Sequence, residues 1–246
     1  MSLIELANIT HEFDVSEPWL TRTMQGKKRR LLRAVDDVSL HIEKGETYAL
    51  VGESGSGKST IAKIMVGLLR PTSGAVVIDG QALSVSSRGP AARALRRRLQ
   101  MVFQSPYASL NPRWRVGALI GEPLSAFGLI DDAQARTRRV HELLEMVGLS
   151  SDDARRFPHE FSGGQRQRVV IAGALALNPK LVIADEPVSM LDVSMRAQIL
   201  KLIEQLRRDQ GIAWLFITHD LSLAWAISDR VVVLYLGAVV EEGTAE

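Results

Sequence analysis

The chain has 246 residues, 46% apolar and 24% charged, a balance that suits one globular domain with a sizeable core. It has no cysteine, which excludes disulfides and thiolate metal sites, and its net charge of +2 gives no global argument for nucleic acid. The longest nearly unbroken apolar stretch, 231–240, is far short of a membrane span, and residues 1–5 lack the pattern of a secretory signal, so a cytosolic polypeptide is expected.

Residues 3–9 and 38–42 alternate apolar and polar side chains and read as strands, separated by a polar, Pro-containing surface loop over 16–30. A buried strand over 47–51 leads into a Gly-rich segment and a helical run over 58–69, closed by Pro71-Thr72-Ser73-Gly74. A strand over 75–78 follows. From 105 to 178 the character is helical. The clearest helix takes Asp131 as N-cap with Gln134 three residues on, and carries Val140, Leu143, Leu144 and Val147 on one face. Strand character returns at 181–184. A helix with Ile199, Leu202, Ile203 and Leu206 on one face stops at Gly211, and a strand over 213–218, a short helix and a hairpin (231–235 and 238–241) complete the chain. The basic clusters Lys27–Arg30 and Arg96–Arg98 read as solvated faces, with lipid or partner contact as the other reading. Strands alternating with helices imply a parallel α/β sheet, into which the segment 105–178 is inserted.

Gly52-Glu53-Ser54-Gly55-Ser56-Gly57-Lys58-Ser59-Thr60 fits the P-loop pattern, between a strand and a helix as that motif requires. Its glycines let successive N–H groups point inward, and the helix start adds its positive end, making a nest for a polyphosphate. Lys58 is expected to reach the β- and γ-phosphates and Ser59 to ligate Mg²⁺. The apolar strand 181–184 ends in Asp185 and Glu186, at the strand end where open α/β sheets bind ligands. Asp185 is placed to hold Mg²⁺ through water, and Glu186, one residue beyond, is the candidate general base.

Phe161-Ser162-Gly163-Gly164-Gln165 opens a second helical run, 166–177. Ser162 is a good N-cap, and the two glycines are expected to leave N–H groups uncovered, a second phosphate-seeking helix start. One ATP has one γ-phosphate. The second donor cluster therefore binds another anion or reaches the nucleotide of a neighbouring chain.

These motifs, in this order over essentially the whole chain, resemble the ATP-binding-cassette (ABC) ATPases, with Phe161 where the family more often has Leu. The resemblance implies a P-loop NTPase (RecA-like) α/β core with an antiparallel β subdomain and an inserted α-helical subdomain. It places the core at 1–104 and 179–246 and the helical signature subdomain at 105–178. It also implies that Ser162-Gly163-Gly164-Gln165 clamps the γ-phosphate held by a second ATPase subunit, so that ATP and Mg²⁺ are bound between two copies or two homologues. Gln104 matches the residue that senses Mg²⁺ and the attacking water, and His219 the one that contacts the γ-phosphate and steadies the catalytic glutamate. Asp192, in Met190-Leu191-Asp192, matches the segment that crosses the dimer interface, with Met190 where a small residue is usual. Phe13 matches the aromatic that stacks on adenine, with His11 and Trp19 as nearby alternatives.

The segment 104–113 is similar to the peptide/nickel importer branch, which implies integral membrane permease subunits, an indirect solute-binding protein, a peripheral place on the inner face of the membrane and no nucleic-acid partner. Two other cassette roles stay open, an accessory of the phosphonate-degrading machinery and a nucleic-acid-associated ATPase. Members of the branch usually continue past the point reached by Glu246, and 243–246 reads as a turn and N-cap, so a longer natural protein is expected.

Overall fold

The computed structural model describes residues 2–17, 19–24, 28–83 and 89–245. Two strands of 13 residues, β1 (Ser2–Asp14) and β2 (Leu31–Glu43), pair antiparallel, and β1 pairs on its other edge with β4 (Ser73–Ile78) and through it with β5 (Gln81–Leu83). The second sheet has the order β10-β9-β3-β8-β7-β6, from β3 (Thr47–Val51), β6 (Leu99–Val102), β7 (Leu181–Asp185), β8 (Ala213–Thr218), β9 (Arg230–Tyr235) and β10 (Ala238–Thr244). Its strands run parallel except for the β10 edge, which returns as a hairpin. The helices are α1 (Trp19–Met24), α2 (Lys58–Met65), α3 (Pro90–Arg98), α4 (Pro106–Ser109), α5 (Val116–Ala126), α6 (Ala133–Met146), α7 (Gly163–Leu175), α8 (Val193–Gln210) and α9 (Leu221–Ile227).

The strand period of two sorts the core. Leu181 and Ile183 of β7, with Leu215 and Ile217 of β8, face the antiparallel sheet and α2. Their neighbours Val182, Ala184, Trp214 and Phe216 face the opposite way, into the core shared with α5, α6, α7 and α8. Both faces of the parallel strands are therefore covered, which explains their near-continuous apolar runs. Helices α4 to α7 lie between β6 and β7 in the chain, as an insertion into the sheet's connections. The mixed α/β architecture, antiparallel sheet and helical insert agree with the expected fold.

Several local expectations need correction. The helix after the Gly-rich loop ends at Met65, not Leu69, because Gly67 turns left-handed (φ 74°) and the N–H groups of Leu68 and Leu69 return to the Lys63 carbonyl. The N-cap of α6 is Asp132 and not Asp131: the Asp132 carboxylate accepts the Ala135 N–H at 2.6 Å, so the direct cap prevails one residue past the Asp131–Gln134 capping-box spacing. A short helix, α1, stands within the stretch read as loop, part of which lies outside the described residues. Gly243 and Thr244 do not form a turn: they pair with Val231 and Arg230 in β10, and Glu246 lies outside the described residues.

Candidate functional site

The Gly-rich loop leaves β3, whose five residues are all buried, and enters α2 through Gly57. Two glycines are required by close approach. A Cβ at Gly52 would collide with the Leu234 carbonyl, and one at Gly57, where φ is 105°, with the Ala34 carbonyl. Residues far away in the chain thus press backbone against the loop. The hairpin tip adds a tie, with Gly237 N–H donating to the Ser56 carbonyl at 3.0 Å. No side chain caps the start of α2, which leaves its first N–H groups facing the loop.

Lys58 is buried, and its Nζ donates to the Gly52 and Glu53 carbonyls, both at 2.7 Å, so the loop curls around its own ammonium. Burial pushes the Lys58 pKa down, against the pull of the Glu186 and Asp185 charges. Asp185, at the end of β7, is also buried, and that burial raises its pKa despite a hydrogen bond from the Ser59 hydroxyl. A buried carboxylate bonded to a hydroxyl is a hard-oxygen pair that suits a small divalent cation.

Glu186 follows in the left-handed region (φ 48°), its N–H donating to the Ile217 carbonyl at 2.9 Å. For a residue with a Cβ this conformation costs about 1–2 kcal/mol. It is held from both sides: Gln104 Nε2 donates to one carboxylate oxygen at 2.9 Å, and His219 Nδ1 meets the other at 3.0 Å. Gln104 follows β6 and His219 follows β8, so three strand ends converge on one carboxylate. Gly52, Glu53, Ser54, Gln104, Glu186 and His219 line a cavity of about 1050 Å³. Ser59, Gln104 and Asp185 line another of about 470 Å³. Gly55, Ser56 and Thr60 lie in the loop and the first turn of α2 between these groups.

Phe13 lines neither cavity. It sits in the β1–β2 ribbon opposite Leu32, which is itself two residues from Ala34, whose carbonyl closely approaches Gly57; the Phe13 ring is exposed and edge-on to His11 at 4.5 Å. The His11 alternative is buried, with both ring nitrogens lacking a hydrogen-bond partner, and the Trp19 side chain lies outside the described residues.

Ser162 caps α7 as expected, with a reciprocal capping box: its hydroxyl accepts the Gln165 N–H at 3.3 Å and the Gln165 side chain accepts the Ser162 N–H at 3.0 Å. The expectation of uncovered glycine N–H groups fails at one of the two glycines. The Gly164 N–H is not uncovered, because it donates to Met195 Sδ at 3.3 Å. None of Ser162 to Gln165, nor Asp192, lines either cavity around the P-loop. Asp192 caps α8 and accepts the Met195 N–H and the Ser194 hydroxyl, which together hold its pKa low.

The sequence reading did not foresee the β9–β10 tip as a wall of the larger cavity, where Val233, Leu234, Tyr235 and Val240 stand. A hairpin was legible there, but its contact with the loop joins residues some 180 positions apart and leaves no local signal.

A family model described as ABC transporter matches residues 35–189. A putative peptide import ATP-binding protein of Brucella abortus is 56% identical over 215 residues, which cover 87% of this chain and 64% of the relative. A putative oligopeptide transport ATP-binding protein of Bacillus subtilis is 46% identical over 98% of this chain and 70% of its own length. A glutathione import ATP-binding protein of Escherichia coli O157:H7 is 48% identical over 98% of this chain and 38% of its own length. The chain thus spans less than two thirds of the Brucella relative. Among solved structures, an ATP-binding cassette described as dimeric, in a post-hydrolysis state bound to ADP and Pi, superposes with a TM-score of 0.83 at 31% identity, over 99% of both chains.

Proposed function

The chain belongs to the ABC transporter family, and from that membership we propose that it is the ATP-hydrolysing subunit of a peptide importer. The observation that carries the catalytic half of this reading is the carboxylate of Glu186, gripped by Gln104 and His219 beside the P-loop. The relatives named for peptide, oligopeptide and glutathione import narrow the peptide-or-nickel expectation to peptides. The same names favour import over the phosphonate-accessory and nucleic-acid alternatives.

In the proposed reaction the loop N–H groups and Lys58 take the ATP phosphates, and Phe13 takes the adenine face. Ser59, with Asp185 through water, would hold Mg²⁺, which when bound neutralises phosphate charge. Glu186 takes a proton from water as its oxygen attacks the γ-phosphorus in line; the bond from that phosphorus to the β–γ bridging oxygen breaks, and ADP and phosphate are left. Its two partners keep the carboxylate aimed, and its fixed orientation lowers the reorganisation needed during reaction. On this reading residues 1–104 and 179–246 form the core, and 105–178 carry the clamp, which closes with Asp192 on the nucleotide of a second ABC ATPase subunit. The dimeric solved cassette supports that pairing. Among the described residues no helix is long and apolar enough to cross a membrane, so the work would pass to permease subunits, with the chain peripheral on the inner face and a solute-binding protein engaged only indirectly.

The test is Glu186→Gln. The variant should bind MgATP, stop turnover and accumulate as an ATP-dependent dimer in size-exclusion chromatography. Turnover at the wild-type rate would show that Glu186 is not the base.

A further inference from the structure

The tip of α7 is occupied by its own chain. Gly164 N–H donates to Met195 Sδ at 3.3 Å, and a Cβ on Gly164 would stand 2.9 Å from that sulfur. A Cβ on the neighbouring Gly163 would touch Leu191 Cδ2 at 3.4 Å. The Gln165 N–H is taken by the Ser162 hydroxyl and the Arg166 N–H by the Ser162 carbonyl. A thioether is a weak acceptor, so the amide is covered but poorly satisfied.

Met195 reports the position of another segment. It lies in the first turn of α8, and its own N–H is bonded to the Asp192 carboxylate at 2.9 Å. Met190, just before the helix, and Val193, its first residue, carry exposed apolar side chains, at 67% and 81%, which a docking chain could cover. One short stretch, 190–195, therefore presents apolar surface on one side and plugs the Gly164 amide on the other.

We infer that Met195 is a placeholder at the Gly164 amide, displaced when a second cassette docks on residues 190–193, and that it thereby sets how much ATP the paired state requires. This rests on the clamp reading above. A phosphate oxygen, as a charged acceptor, is a far better partner for the amide than sulfur, so exchange is downhill once the segment moves. Until then the clamp stays closed to stray anions.

The experiment places Met195→Ala and Met195→Leu in the Glu186→Gln background and measures the ATP concentration giving half-maximal dimer by light scattering. Amide hydrogen exchange at Gly164 is followed in the ATP-free subunit. Removing the acceptor should lower the ATP requirement about two- to fivefold for Ala, a fraction of an ordinary neutral hydrogen bond. Leu, which keeps the bulk but cannot accept, should fall between Ala and the parent. Gly164 exchange should quicken in both. Dimers that form at unchanged or higher ATP in both variants would overturn the inference, showing that Met195 supports the tip or is idle. Unaltered Gly164 exchange would overturn the contact itself. If the parent forms no ATP-dependent dimer although Gly164 exchange responds, the clamp reading falls, and the displacement step with it.

Discussion

The two helix starts that look alike in sequence are in different conditions in the fold. At the first, α2 begins beneath the P-loop, and the functional side chains around it already bond one another: Gln104 and His219 grip Glu186, and Ser59 meets Asp185. At the second, the Gly164 and Gln165 N–H groups of α7 are engaged within the chain, by Met195 and by Ser162, and neither they nor Gly163 line the cavities at the P-loop. One half of the proposed reaction is assembled. On the proposed reading the other half lies at the α7 start, where Met195 covers the Gly164 amide. The contrast teaches that a glycine-rich helix start reports a capacity for anions, while its neighbours decide when that capacity is exposed.

Mutations can break this comparison or sharpen it. The largest effect is expected from Glu186→Gln, which removes the proposed base and should slow hydrolysis by about 10²–10⁴-fold at unchanged ATP affinity. A wild-type rate in single-turnover assays would dissolve the P-loop half. Lys58→Ala should weaken MgATP binding by at least about 10–100-fold, the loss of a charge-assisted contact, read by equilibrium titration of the isolated subunit. Phe13→Ala should cost about 1–3 kcal/mol of adenine stacking, with Phe13→Tyr close to wild type in the same titration. If Ala and Tyr behaved alike, the adenine platform would have to be sought elsewhere. The smallest effect belongs to the covered half. Ser162→Ala removes an N-cap worth about 1 kcal/mol, and should lower turnover severalfold while leaving ATP binding by the isolated subunit untouched. A Ser162→Ala subunit that lost ATP binding alone would erase the distinction between the halves.

Much of this was legible because the chemistry is local. The P-loop, the apolar strand ending in Asp185 and Glu186, and the Ser162 cap with Gln165 each lie within a few residues, and the apolar face of α8 (Ile199, Leu202, Ile203, Leu206) follows from helical spacing. What escaped depends on distant neighbours. The left-handed backbone of Glu186 is set by its bond to Ile217, and the sulfur on Gly164 comes from 31 residues away. The early end of α2 at Met65 needed Gly67 to turn, although the apolar pattern ran on to Leu69. The run 89–98 holds α3 between a glycine and β6, yet its alanines and arginines show little apolar stripe, with only Ala92 and Leu95 buried. Length in β1 and β2 was likewise hidden, since polar residues such as Glu12 and Arg33 continue the ladder by pairing with one another.

The central claim is that neither subunit carries a complete hydrolytic pocket. Specific ATPase activity measured across a wide dilution series of the purified protein, at saturating MgATP, tests it most directly. Activity per subunit should fall steeply on dilution and reach a plateau at high concentration. The same specific activity at every concentration, with size-exclusion chromatography showing monomer throughout, would contradict it.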